Sequence, residues 1–211
     1  MAQRPTQRPA NVAYYWRNRR REIDRVRIRQ SATVAFLREL RTSPCADCRG
    51  TFAPHQMDFD HIEPSGKAFR LTSGAATLKL RKALEDEVRK CDIVCVNCHR
   101  VRTWRRHAER PTLSGTSPRI DEKRAYWRAQ AQLLDRLRDV PCADCGLRFA
   151  ACAMDFDHRD PADKRSMVTR MIGRAGTERM LAEVAKCDIV CANCHRLRTF
   201  DRRMADQSAR E

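Results

Sequence analysis

The chain has 211 residues and a mass of 24.5 kDa, room for one or two small domains. Its 43 Lys+Arg against 27 Asp+Glu leave a formal net charge of +16, which points to a polyanionic partner, either nucleic acid or an anionic membrane surface. No apolar run approaches the roughly 18 residues of a membrane span, which excludes a membrane-spanning chain. The arginine-rich start lacks the apolar stretch of a secretory signal, so the eleven cysteines are expected in a reducing cytoplasm.

In chain order, residues 1–44 read as a basic helical arm. Over 12–41 the apolar Trp16, Ile23, Val26, Leu37 and Leu40 recur at helical spacing among arginines, predicting a basic amphipathic helix with room for a break near Ser31 and a stop at Pro44. A C-x-x-C pair, Cys45 and Cys48, follows. The run Met57–His61, MDFDH, alternates and ends at a Pro-Ser-Gly turn, so it reads as a strand with Asp58 and Asp60 on one face and Met57 and Phe59 on the other. A charged helix over 78–88, a brief strand CDIVCV carrying a second cysteine pair, and a last helix from Asn97 to about Arg110, closed by Pro111, complete the block. Residues 111–120, PTLSGTSPRI, read as the linker.

The second half repeats the first. Residues 45–70 align without gaps on 142–167, with 13 of 26 positions identical, and residues 87–104 align on 183–200, with 14 of 18 identical. The lead-ins correspond too, Tyr15-Trp16-Arg17 with Tyr126-Trp127-Arg128. A period near 97 residues is too long for a solenoid and indicates tandem duplication of one small domain. The domain reading is therefore an arm (1–44), a first module (45–110), a linker with a basic helix (111–141), a second module (142–205) and a tail (206–211). Residues 45–99 and 142–195 are each neutral, whereas 1–44 carry +8, 100–141 carry +6 and 196–211 carry +2. Neutral cores flanked by basic segments fit delivery of compact sites to a polyanion; the plainer alternative is solvated arginine-rich helices.

Each copy holds two C-x-x-C pairs: Cys45/Cys48 with Cys95/Cys98, and Cys142/Cys145 with Cys191/Cys194. Two-residue spacing turns both thiolates of a pair toward one ion, and two pairs make a closed four-sulfur shell of the kind that binds structural zinc. Two structural zinc ions are expected. Cys91 and Cys187 are equivalent and read as small buried side chains, while Cys152 has no counterpart because His55 stands at its aligned position.

Between the cysteine pairs lies Asp-Phe-Asp-His, at 58–61 and 155–158, and after the last cysteine of each copy comes His99 or His195. With both cysteine pairs, DFDH and CxNCHR in each copy, residues 45–105 and 142–201 resemble the HNH endonucleases of the ββα-metal superfamily, in the subset braced by a four-cysteine zinc. The resemblance implies an α+β fold of two small zinc-stapled ββα-metal domains. It makes His61 and His158 the general bases that take a proton from water, a role suited to a group that titrates near neutrality. It makes Asp60 and His99, and Asp157 and His195, the ligands of a catalytic Mg²⁺ or Mn²⁺ ion, one per domain, stabilising the departing 3′ oxygen of DNA. Asp58 and Asp155, on the same strand face, are candidates for outer partners of these ligands, additional ligands or solvent-exposed carboxylates. The middle asparagine of the family is missing; Asp92 and Asp188 stand where it would brace the loop, and Asn97 and Asn193 are expected to bond backbone groups of the turn. Arg100, Arg102, Arg196 and Arg198 on the last helices are candidates for phosphate contacts. The expected function is metal-dependent hydrolysis of DNA by a monomer acting as a pseudo-dimer, or by a homodimer. The alternative is a non-catalytic zinc-dependent DNA-binding protein.

Overall fold

The computed structural model describes residues 9–71, 79–108 and 118–209. Its regular elements are α1 (Pro9–Leu40), β1 (Met57–His61), α2 (Arg81–Val88), β2 (Cys91–Cys95), α3 (Val96–Ala108), α4 (Pro118–Leu137), β3 (Met154–His158), α5 (Thr177–Val184), β4 (Cys187–Cys191) and α6 (Ala192–Ser208). This is a mixed fold of helices and two two-stranded sheets, β1 with β2 and β3 with β4.

The break allowed near Ser31 does not occur. From Ala10 to Ser43 the chain has neither proline nor glycine, and alanines at 32 and 35 favour continuation, so α1 runs through. The linker is shorter than predicted: Pro118 to Ile120 already form the first turn of α4, where proline is tolerated because its missing amide has no intrahelical partner. Pro111, with the rest of the linker as far as residue 117, and Leu78 lie outside the described residues. Among the described residues no helix is long and apolar enough to cross a membrane.

The chain forms two compact units, one of residues 1–43 with 59–93 and one of residues 44–58 with 94–211. In the first, the C-terminal part of α1 delivers Phe36, Leu37 and Leu40, spaced one and four apart, onto Phe59, Leu71 and Leu84. Arg41 lies over the Phe59 ring at 4.7 Å. The second unit builds the same core from the equivalent residues: α4 delivers Leu133, Leu134 and Leu137 onto Phe156, Val168 and Met180, and Arg138 lies over Phe156 at 4.7 Å. In the second copy lead-in helix and module are thus one packing unit, whereas in the first α1 shares its unit with residues 59–93 and the rest of the module belongs to the second unit.

In the second unit β3 and β4 pair antiparallel from Met154↔Cys191 to His158↔Cys187, which sets Asp157 opposite Asp188. The buried Gln130 fastens α4 beneath them, donating to the Ala175 carbonyl at 2.9 Å and accepting from the Gly173 amide at 2.7 Å. Gly173 has φ of +69°, and a Cβ there would stand 2.1 Å from Trp127 Nε1. Gly173→Ala therefore meets both the left-handed backbone penalty and a clash, and is expected to cost about 1–3 kcal/mol, read as a lower midpoint in urea denaturation followed by tryptophan fluorescence.

Candidate metal centres and active site

Both four-cysteine clusters lie in the second unit, each joining a loop to the start of a long helix. The four Sγ atoms of Cys45, Cys48, Cys95 and Cys98 lie within 4.8 Å of one another, as do those of Cys142, Cys145, Cys191 and Cys194. Thiolates about 2.3 Å from one tetrahedral zinc would be about 3.8 Å apart; Cys48 Sγ and Cys95 Sγ are 4.0 Å apart. The donor sets fit the ion. Backbone amides already point at the sulfurs, Cys95 N to Cys45 Sγ and Cys191 N to Cys142 Sγ, both at 3.2 Å. Burial pushes the Cys45 and Cys142 thiols up, but these and neighbouring amide bonds outweigh it and bring both down to about 7. Burial and the adjacent cysteines push Cys98 and Cys194 up, a cost that a bound dication offsets. The tight turn after the first pair needs a left-handed residue, Arg49 in one copy at φ +61° and Gly146 in the other at φ +71°.

The remaining equivalent thiols are packing groups. Cys91 packs against the first unit's core and Cys187 is part of the second's, each donating to the carbonyl of Glu87 or Glu183 at 3.4 Å, and burial pushes both up to about 11.

One residue beyond each cluster stands the histidine expected to bind a catalytic ion. His195 Nδ1 is 2.8 Å from Asp155 Oδ2, and its Nε2 is 3.4 Å from Asp157 Oδ1. Two carboxylates from one strand face thus reach the two nitrogens of one ring, as the alternation of MDFDH implies. Burial pushes Asp155 up, but bonds from His195 and Arg100 hold it down at about 2. A carboxylate can only accept, so the His195 proton sits on Nδ1 and the Nε2 lone pair remains for another partner. Nε2 and Asp157 Oδ1 are placed close to the separation of adjacent ligands about 2.1 Å from a single divalent ion, and the donor set fits one. In the first copy His99 Nδ1 makes the same bond to Asp58 Oδ2 at 2.9 Å. Asp58 and Asp155 are therefore holders of the histidines.

His158 is buried next to Asp157. Its Nε2 lies 2.9 Å from Glu183 Oε1, which also accepts from the amides of Arg165 and Ser166 at 2.8 and 3.1 Å, while Lys186 reaches Oε2 at 2.8 Å. In the first unit His61 Nε2 meets Glu87 Oε1 at 2.8 Å, with the Ala68 and Phe69 amides and Lys90 in the same roles. Burial works against both glutamates, but these bonds hold each at about 2. Each carboxylate accepts the Nε2 proton of its histidine, which in the neutral ring of His158 makes Nδ1 the unprotonated nitrogen. The two glutamates escaped the sequence reading. A signal was present: of the eight residues of α2, only Glu87 and Val88 recur in α5.

In the second unit Asp157, His158, His195, Lys164 and Arg202 line one cavity of about 130 Å³. In the first copy Asp60 and His61 are buried in the first unit, whereas His99 belongs to the second.

The four arginines expected at phosphates sit on carboxylates within the fold. Arg100 meets Asp155 at 2.6 Å, Arg196 forks onto Asp58 at 2.7 and 3.0 Å, and Arg102 holds Asp47 through Nε at 2.8 Å. Arg198 reaches Asp144, Asp157 and Asp188, and these bonds, that to Asp144 foremost, push it above the usual arginine range. Asp188 is thereby tied to the last helix. Asn97 and Asn193 do bond backbone amides, each that of the other: Asn97 N to Asn193 Oδ1 at 3.2 Å and Asn193 N to Asn97 Oδ1 at 3.0 Å. No protein-family model, curated protein or solved structure matches the chain.

Metal analysis of the purified chain should find about two zinc ions, and Cys48→Ser should lower the content toward one while destabilising the fold. Glu183→Ala should cost about 2–4 kcal/mol, because buried donors lose their acceptor. Glu183 titrates near 2 in the folded chain against an ordinary value of 4.5. The unfolded chain therefore binds a proton first, and this stability is present above pH 4.5 and lost as pH falls toward 2. Urea midpoints of Glu183→Gln measured across that window should fall less steeply than those of the wild type.

Proposed function

We propose that this chain is a metal-dependent endonuclease of the HNH type that hydrolyses DNA phosphodiester bonds, with one site in each copy. The observation that carries the reading is the cavity of the second copy, where a buried, carboxylate-held histidine lies beside a carboxylate and an imidazole nitrogen 3.4 Å apart. His158 takes a proton from water at Nδ1, and Glu183 stabilises the imidazolium that results, as the third member of a triad does. His195 Nε2 and Asp157 Oδ1 would hold a divalent ion of the Mg²⁺ or Mn²⁺ class. When bound, such an ion withdraws charge from the phosphodiester and its departing oxygen. Lys164 and Arg202, lining the same cavity, supply positive charge for the phosphate. His61 with Glu87 is assigned the same role of base in the first copy. The basic segments 1–44 and 100–141 contribute sequence-independent attraction to DNA.

One observation favours the second reading, a non-catalytic zinc-dependent DNA-binding protein. Both Asp157 oxygens already accept from Arg202, at 2.8 and 2.6 Å, and Arg198 reaches Oδ2 at 3.1 Å, so this carboxylate has a cationic partner without an ion. The two readings separate on supercoiled plasmid. With Mg²⁺ or Mn²⁺ and a metal-free control, the nuclease reading expects nicking or linearisation, and His61→Ala combined with His158→Ala should reduce it by at least about a hundredfold. Zinc content and salt-sensitive DNA binding should persist in that double variant. Undiminished cleavage would refute the assigned bases; binding without any cleavage by the wild type would establish the second reading.

A further inference from the structure

Within the second unit the polar bonds around the two metal-binding histidine candidates are exchanged between the copies. His99 is held by Asp58 of its own copy, but Asp58 is gripped by Arg196, which follows His195 on α6. His195 is held by Asp155, and Asp155 is gripped by Arg100, which follows His99 on α3. The crossing is reinforced on both sides. Arg196 also donates to the His55 carbonyl at 3.2 Å, the His55 ring stacks on Phe200 with centroids 4.2 Å apart, and Gln56 donates to the Asn193 carbonyl at 3.0 Å. The reciprocal asparagine pair lies between the two helix starts, buried. Asp58, His99, Arg100, Asp155, His195 and Arg196 all line one cavity of about 610 Å³.

Sequence spacing alone would let each arginine serve its own copy, since it adjoins that copy's histidine. A helix forbids this: adjacent residues lie about 100° apart around the axis and do not face the same neighbour. The histidine turns to the carboxylate of its own strand and the next residue reaches across to the other copy's. A carboxylate at least half-buried, with one histidine donor, still has an oxygen to satisfy, and the foreign guanidinium satisfies it with a charge-assisted bond.

We propose that Arg100 and Arg196 are positioning residues exchanged between the copies, so that each copy's metal-binding histidine is oriented by an arginine of the other and neither site is complete alone. Through Asp155, Arg100 fixes the ring plane and proton position of His195; through Asp58, Arg196 does the same for His99. The consequence for catalysis, interdependence of the two sites, rests on the nuclease reading; the orientation of the histidines does not.

The test uses the full zinc-loaded chain labelled with ¹⁵N-histidine, with ring signals assigned from single His→Gln variants. Arg100→Met should displace the ring-nitrogen signals of His195 and leave His99 in place, whereas Arg196→Met should do the reverse. Arg100→Lys and Arg196→Lys, which keep the charge, should move the same signals less, and unaltered zinc content reports that the knuckles persist. In the His61→Ala background, where the second copy alone retains its base, Arg100→Met should lower the remaining cleavage about 10- to 100-fold, with partial rescue by Arg100→Lys. Perturbation of the adjacent histidine instead of the distant one, or no perturbation in either the methionine or the lysine variants, overturns the proposal. Absence of cleavage by the wild type sinks the nuclease reading, and the crossed pattern of histidine signals still decides this one.

Discussion

Four cysteine sulfurs gathered within 4.8 Å of one another are an electrostatic problem that a dication solves, and much else in the second unit depends on that solution. Each cluster ties a loop that precedes a strand to the first turn of α3 or α6. His99 and His195 are the next residues along those helices, so pinning the cysteines also pins the imidazoles. A rotation of α6 by one residue would carry His195 about 100° away from Asp155 and Asp157. A dication in the second cluster would in this sense brace His195 without touching it.

Beyond the clusters the arrangement is governed by which group owns a proton. Every candidate active histidine has a carboxylate within hydrogen-bond distance of one nitrogen, and which nitrogen that is differs by role. Asp58 and Asp155 take Nδ1 of His99 and His195, whereas Glu87 and Glu183 take Nε2 of His61 and His158. A ligand and a base use different ring atoms, and the four carboxylates, each buried or half-buried, set the difference. Lysines, amides and arginines keep those carboxylates ionised, which explains why so much of the chain's positive charge is consumed inside the fold.

The charge excess consequently has two destinations. Arg100, Arg102, Arg196 and Arg198 neutralise internal aspartates, so the +6 and +2 segments that contain them overstate what is left for a polyanion. Arg105 and Arg203 on the later turns of α3 and α6 are exposed instead, as are Tyr14, Tyr15 and Trp16 in the arginine-rich N-terminal half of α1. Counting cations in a linear segment cannot separate those two uses, because pairing depends on which carboxylate is near in space.

The sequence by itself determined the duplication, the cysteine pairing into two closed sets, the strand character of MDFDH and the common face of its two aspartates, since these follow from local spacing and from identity between copies. Short-range periodicity also located the helices and strands that carry the site residues, but it allowed a break at Ser31 and a linker reaching Ile120, started α2 ahead of Arg81 and placed Val96 in the strand instead of at the start of α3. Glu87 and Glu183 became visible only in the tertiary structure, which folds α2 and α5 back under the strands some 25 residues away from their histidines. The exchange of Arg100 and Arg196, and the mutual bonding of Asn97 with Asn193, were likewise decided only there. A duplicated sequence specifies two equal sets of donors and acceptors but not which set satisfies which; only the packing of one copy's helix against the other's strand does that.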